Sequence, residues 1–447
     1  MNHKESPRIP MLIDALRDMP KTHRYRVAYS GGADSHALLH GMVALGDALE
    51  GAEVSAVHVN HGLQNDADRW AAHAAHICRD LGVSCPILVV DAHPDPGESP
   101  EAAARRVRYG AIKGIMADNE ILLTAHHLDD QAETLLLQLM RGAGPRGLAA
   151  MPSIVRFGAG WLGRPLLGIS REVLRDYARA QGLRWVEDHT NRDTHFDRNY
   201  LRHEILARLR ARWPGVSNTL GRVAVHQART ARQLERLAEE DLVDLRGSEP
   251  RTLSCAGLRA LSPDRQRNAL YTWFRRAKLP MPHAIHIERI LNDIIEAASD
   301  REPLVSWKGG EVRRYRDDLH AMVPLPMDSR RVIPWVLEKP LRLSHGRLEA
   351  RRVLGAGLRA ASCPGNLVEV RFRQGGEKCR IAARGHTHRL KKLFQENGIP
   401  PWERDRIPLI FSGEELAAVA GLWVCHPFEA SGDAPGWILR WFPVGAQ

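Results

Sequence analysis

Short apolar runs alternate with stretches of three-and-four-spaced apolar positions through the first ~215 residues of the chain. Residues 25–29 form a strand-like run, and Leu38, Met42, Leu45 and Leu49 then fall at helical spacing. Residues 54–59 are rich in β-formers, and Trp70, Ala74, Ile77 and Leu81 mark one face of a helix after them. Residues 87–90 make a short apolar strand. Ser99-Pro100-Glu101 is a helix start, with Ser at the cap and Pro in the first turn, and its helix is expected to reach about Asp118. Residues 121–124 give a further strand and 130–141 a further helix. Such alternation predicts a mostly parallel sheet with helices on both faces. Ligands of these sheets sit beyond the carboxyl ends of the strands. The segments SGGADS (30–35), HVNHG (58–62) and TAHHLDD (124–130) all lie at such ends, so they are expected to converge.

The pattern changes near Ser217. Residues 219–245 and 256–298 read as helices of a small domain, and 303–323 as a short β tail. Pro324, Pro326, Pro334 and Pro340 punctuate an expected linker. From about 345 onward short strands and turns surround one basic helix near 386–397. The expected division is 1–216, 217–330, a linker at 331–350, and 351–447. It comprises an α/β domain, a helical domain and a small α+β domain.

Charge and cysteine usage narrow the class. A net charge of +10 and a pI near 9.5 favour a polyanionic partner. Cysteines stand at 78, 85, 255, 363, 379 and 425 without any CxxC, so they read as reduced thiols of a cytoplasmic protein. The first ten residues are polar and lack a signal-peptide core, and no run approaches the ~18–20 apolar residues of a membrane span.

The chemistry begins at Ser30-Gly31-Gly32-Ala33-Asp34-Ser35. A strand, a glycine turn and a helix start make a phosphate cradle, since glycines admit the anion and the helix N-terminus offers free N–H groups. No Gly-Lys-Ser/Thr closes it, so it is not a Walker A loop. At 129–134, Asp129 and Glu133 are i,i+4 neighbours and Asp130 and Glu133 are i,i+3 neighbours. Crowded carboxylates of this kind suit Mg²⁺, which takes one or two of them plus phosphate oxygens, and Asp34 can supply another. His126 and His127 are adjacent and cannot both face one metal, so phosphate contact or substrate positioning fits them better. Arg105 and Arg108 share a helix face, as do Arg198 and Arg202. They suit phosphate or carboxylate, a solvated basic face being the alternative for the first pair. In the tail, Leu390, Leu393 and Phe394 make an apolar face that leaves Lys391 and Lys392 outward, beside Arg389 and Trp402. Cations with an exposed aromatic suit RNA, and a packed Trp on a solvated helix is the alternative.

SGGADS resembles the PP-loop of the ATP pyrophosphatases. Together with HVNHGL (58–63), EAAARRVRY (101–109), AHHLDDQAET (125–134), the DHTN (188–191) and RNYLR (198–202) segment, and LKKLFQENGIPPWERDRIPL (390–409), it resembles the tRNA(Ile)-lysidine synthetases. One departure is Gln64, where that family usually shows Arg after HGL. The resemblance implies ATP and Mg²⁺ as cofactors. It implies free L-lysine and the isoleucine tRNA with a CAU anticodon as partners, with a homodimer left open. ATP would be held by Ser30, Gly31, Gly32, Ala33, Asp34, Ser35, His58 and Asn60. Asp34 and Asp130 would hold the metal, and Asp34, Asp130, Arg105 and His127 would act in catalysis. Lysine would meet Asp129, Glu133 and Arg202. The tRNA would meet Arg108, Arg198, Arg371, Arg389, Lys391, Lys392 and Trp402. A PP-loop tRNA thiolase and a non-catalytic, ATP-gated RNA-binding protein remain the alternatives.

Overall fold

A computed structural model describes residues 9, 11–62, 66–95, 97–187, 193–298, 301–324, 332–381 and 386–444. They divide into two compact units between residues 234 and 235. The chain up to that division, and the helix that crosses it, runs through α1 (Leu12–Arg17), β1 (Arg24–Ala28), α2 (Ala33–Leu45), β2 (Glu53–Asn60), α3 (Ala67–Asp80), β3 (Ile87–Val89), α4 (Pro100–Gly114), β4 (Ile121–Leu123), α5 (Leu128–Met140), α6 (Pro145–Leu148), β5 (Ile154–Phe157), β6 (Gly160–Gly163), α7 (Arg171–Ala180), α8 (Asp197–Tyr200), α9 (Leu206–Arg212) and α10 (Val216–Asp244). A π-helical turn, Leu201–Ile205, joins α8 to α9.

The sheet order is β3-β2-β1-β4-β6-β5. All neighbours are parallel except β5, which runs antiparallel to β6 at the edge. β4 shows why such strands read as unbroken apolar runs. Ile121 and Leu123 pack with Val27, Leu38 and Met42 on one face, while Leu122 packs with Val57, Ile112 and Leu162 on the other. The chain builds outward from β1 to β2 and β3, then crosses back to place β4 on β1's other side. The β1/β4 boundary is therefore the switch point, and the turns after these two strands open toward one crevice. The β5–β6 hairpin is an addition to the sequence reading, because four-residue strands carry too few periods to register, and α7 is a further addition.

The second unit holds β7 (Leu253–Ser254), α11 (Cys255–Ala260), α12 (Pro263–Arg276) and α13 (Ala284–Arg289). They precede β8 (Leu304–Trp307), β9 (Gly310–Tyr315) and β10 (Asp318–Met322), which form an antiparallel sheet with β7. Two further antiparallel sheets follow, with a small two-stranded one formed by Lys378–Arg380 and Thr387–Arg389. One contains Ile333–Val336, Leu367–Arg371, Leu409–Ser412, Glu415–Val419 and Trp423–Val424, and the other Leu341–Leu343, Gly346–Leu354, Leu358–Arg359 and Pro435–Pro443. The stretch read as a linker thus contributes strands. Pro334 is tolerated because its strand is an edge. The basic helix is α14 (Leu390–Glu396).

The cysteine reading needs correction at one pair. Cys379 and Cys425 are joined as a disulfide, while Cys78, Cys85, Cys255 and Cys363 are free. The fold brings the pair together through the strand Lys378–Arg380, whose Arg380 carbonyl accepts the His426 N–H at 2.7 Å. Among the described residues no helix is long and apolar enough to cross a membrane.

Candidate active site

Gly31 takes φ +85°, a left-handed conformation that glycine adopts without strain. The turn is closed by its own hydroxyls. Ser35 Oγ donates to the Gly32 carbonyl at 3.0 Å, lies 3.0 Å from Ser30 Oγ, and accepts the Ser30 N–H at 3.2 Å. Helix α2 is capped by Gly32, which has no side chain to accept its first N–H groups. Those donors are left for an anion.

Two cavities flank this turn. One of about 300 Å³ is lined by Tyr29, Ser30, Val57, His58, Asn60, Trp70 and Arg108, an even mixture of polar and apolar side chains. His58 Nδ1 lies 2.9 Å from the Tyr29 carbonyl, and burial holds this imidazole below its ordinary value. Asn60 shapes the following turn, accepting the Gly62 N–H at 3.0 Å and donating to Asp68 at 2.8 Å. The other cavity, about 650 Å³, is lined by Gly32, Ala33, Asp34, Ser35, Arg171, Arg175, Arg202, His203 and Arg210. The Nε atoms of Arg171 and Arg175 are buried there without a hydrogen-bond partner.

Helix α5 supplies the acids. His127 is its cap: the His127 N–H donates to Asp130 Oδ2 at 2.9 Å, and the Asp130 N–H points at His127 Nδ1 at 3.4 Å. His127 Nε2 lies 3.6 Å from Asp34 Oδ2 and 3.5 Å from Asp130 Oδ2. Burial pulls this imidazole down, but Asp34, Asp130 and Asp129 outweigh it, so His127 is held above its ordinary value. His126 turns away to Thr124 Oγ1 at 2.8 Å. Burial, opposed by Asp130 and reinforced by Arg164, Arg198 and Arg105, pushes His126 down to about 4.

Asp130 and Glu133 face two arginines. Asp130 Oδ1 accepts from Arg198 at 2.8 Å and from Arg202 at 3.4 Å. Glu133 accepts Arg198 Nε at 2.7 Å and Arg202 Nε at 2.6 Å. Arg198, expected on RNA, therefore belongs to a four-charge cluster of zero net charge. Asp129 does not join Glu133. It accepts the Arg171 N–H at 2.8 Å, the Ser217 hydroxyl at 2.7 Å and Arg210 Nη2 at 2.5 Å, fastening α5 to α7, α9 and α10. Burial raises its pKa, but these donors, Arg171 N–H first, bring it below the ordinary carboxylate value. The i,i+4 rule failed here because Asp129 sits in the first helical turn, beside the start of α7.

Asp34 Oδ1 is buried and has no hydrogen-bond partner. That oxygen fits a hard cation drawing its other ligands from phosphate and water. Asp130 has both oxygens engaged, and among the described residues no three His, Cys, Asp or Glu side chains group to hold a metal. Arg105 is exposed, its guanidinium 5.2 Å from the Tyr109 ring centre, while Arg108 reaches the smaller cavity. Asp188, His189, Thr190, Asn191, Leu63 and Gln64 lie outside the described residues.

Four arginines escaped the sequence reading. Arg164 is buried at the carboxyl end of β6, with Nη1 on the Pro152 carbonyl at 2.8 Å and Nε without a partner. The strand-end rule would have found it had β6 been read. Arg171 and Arg175 are i,i+4 neighbours on α7, and Arg210 lies on α9.

Over 423 residues the chain is 43% identical to the tRNA(Ile)-lysidine synthase of Methylococcus capsulatus, covering 94% of this chain and 96% of that protein. The enzyme of the same name from Coxiella burnetii is 42% identical over 432 residues, 96% of this chain and 95% of that one. The chain belongs to the tRNA(Ile)-lysidine synthase family. Family models place a PP-loop domain at residues 5–209, a TilS substrate binding domain at 253–320 and a TilS substrate C-terminal domain at 368–441. The glycine turn, the acids of α5 and Arg198 and Arg202 all fall within the PP-loop match.

The tail candidates lie in the second unit. Leu390, Leu393 and Phe394 are fully buried, so Lys391 and Lys392 face outward as expected, and Arg389 is exposed. Lys391 lines a cavity of about 320 Å³ with Arg313, Arg373, Arg404 and Arg406. Arg371 is taken by Glu369 at 2.6 Å and Glu414 at 3.3 Å. Trp402 corrects the expectation of an exposed stacking ring. It is 7% exposed, packed edge-on against His320 at 5.1 Å and Tyr315 at 6.3 Å, because its indole fills the space against β9 and β10.

Proposed function

We propose that this chain joins L-lysine to C2 of the wobble cytidine in the isoleucine tRNA with a CAU anticodon, using ATP and Mg²⁺. The C2 oxygen attacks the α-phosphorus of ATP, and the bond to the bridging oxygen breaks as pyrophosphate leaves with the electron pair. The lysine amine then attacks C2, the C2–O bond breaks, AMP departs, and the amine loses a proton.

The reading rests on the zero-charge cluster beside the phosphate turn. A zwitterionic amino acid carries one ammonium and one carboxylate. It can substitute for one arginine–carboxylate contact among Asp130, Glu133, Arg198 and Arg202 without leaving a buried charge unpaired. Nucleoside and phosphate placements follow the two cavities. The smaller one offers Val57, Trp70 and Ile112 to a base and His58, Asn60 and Arg108 to polar groups, so it suits adenosine. The free N–H groups of α2 and the side chains of Arg171 and Arg175, whose Nε atoms have no hydrogen-bond partner, suit the departing pyrophosphate. Mg²⁺, when bound, would neutralise charge on the phosphates, and Asp34, with its unpartnered buried oxygen, would hold it. His127, held between Asp34 and Asp130, is a positioning residue that keeps these two acids close.

A thiolase would need a cysteine at this crevice. Neither flanking cavity has one, and Cys85 lines a separate cavity with Arg24 and Glu53, at the other end of the sheet. Incubation with ATP, labelled lysine and total tRNA, followed by nucleoside analysis, tests the reading. One lysidine should form per AMP and per pyrophosphate released. A sulfur-containing nucleoside, or no lysine incorporation, would overturn it.

A further inference from the structure

Helix α10 falls outside all three family matches, which end at 209 and resume at 253. Its charges run against helix physics. A helix favours acids in its first turn and bases in its last. Here neither is present, and the last turns hold Asp241 and Asp244. Residues 216–234 contain Arg222, Arg229 and Arg232 and no acid, whereas 235–244 contain five acids and one arginine.

The acidic end has an internal explanation. Glu235 pairs with Arg275 at 3.2 Å, Glu239 with Arg276 at 3.3 Å, and Asp241 with Arg265. No such explanation exists for the basic end. Arg222, Arg229 and Arg232 are exposed and have no carboxylate within ion-pair distance among the described residues. Arg222, His226 and Arg229 recur at four and three residues, so they form one stripe, with Arg232 flanking it. From Arg222 to Arg232 the stripe spans about 15 Å. The turn leading into the helix carries Trp213, 56% exposed, with the Arg212 guanidinium 5.6 Å from its ring.

We infer that the amino-terminal half of α10 is a docking surface for the sugar-phosphate backbone of the tRNA substrate, with Trp213 offering a face for stacking. The inference rests on the proposed tRNA reaction and adds a contact surface to it. Three features favour RNA. All the cations are arginines, whose planar fork matches phosphate. Among the described residues no acid neutralises them. An exposed ring beside an arginine is a stacking platform for a base.

The test is tRNA binding by the full chain across a salt series. The triple variant Arg222→Gln, Arg229→Gln, Arg232→Gln should bind at least about tenfold more weakly, and its slope of log affinity against log salt should flatten by about two units. The triple lysine variant should keep most of the slope. Trp213→Ala should weaken binding with the slope unchanged. Thermal melting controls for folding, and the glutamine variant should melt no lower than the parent. Unchanged affinity and slope in the glutamine variant would overturn the surface, leaving solvent or an acidic protein as its occupant. Binding is read directly, so failure of the parent to make lysidine would overturn the proposed reaction and not this surface.

Discussion

Arg202 and Arg371 make the same kind of contact in two settings. Arg202 meets Glu133, whose side chain is 1% exposed, at the crevice where the parallel strands end. Arg371 meets Glu369 and Glu414 on an antiparallel sheet, and the Glu414 side chain is 90% exposed. Water screens the second pair and leaves it little net effect. The first pair is dry, so removing one partner strands a buried charge. An arginine's pairing therefore says little about its importance until its surroundings are known. The proposed role of the buried cluster is exchange with a charged ligand, whereas the surface pair ties the end of strand Leu367–Arg371 to Glu414 in a neighbouring turn.

The sharpest test of this contrast is Asp34, the carboxylate of the crevice with an unpartnered buried oxygen. Asp34→Asn should fold normally and lower AMP formation at least about a hundredfold. Near-normal AMP release would place the cation elsewhere. Glu133→Gln comes next. It should destabilise the chain by about 3 kcal/mol, since two arginines lose a shared anion, and raise the lysine KM more than the ATP KM. Equal effects on both substrates would remove Glu133 from the lysine site.

Burial alone, without a charged partner, can be measured at His36. It is buried with Nδ1 2.9 Å from the Arg184 carbonyl, and burial pushes it down to about 4. Its folded value lies below the ordinary ~6.5, so the unfolded chain takes the proton first. Stability should be full above pH ~6.5 and fall by about 3 kcal/mol as pH drops toward 4. His36→Gln should remove that slope from Tm measured against pH, and an unchanged slope would assign it to other groups. Arg371→Ala should do least, with Tm moved by no more than about 2 °C. A larger loss would erase the distinction between the two settings.

Much of the catalytic unit was legible from local pattern. SGGADS announced a phosphate turn because positive φ at Gly31 and a helix without a side-chain cap are local requirements. β4 was readable because both its faces are buried, and Leu390, Leu393 and Phe394 because helical periodicity reports one covered face. Other assignments depended on distant chain. Asp129 and Glu133 look equivalent along α5, but only the approach of α7, α9 and α10 commits Asp129 to fastening them. Trp402 read equally as a stacking ring or a packed one until β9 and β10 covered it.

The sequence by itself determined the parallel sheet, the phosphate turn at its strand ends and the acids facing it. These depend on periodicity and backbone conformation, which are properties of neighbouring residues. Only the tertiary structure decided which charges are paired. It left Asp34 Oδ1 and the Nε atoms of Arg171 and Arg175 without hydrogen-bond partners, gave Arg198 to Asp130 and Glu133, and, among the described residues, left Arg222, Arg229 and Arg232 without an acid. Pairing depends on side chains brought together from remote positions, and on the burial that fixes how strongly each pair interacts.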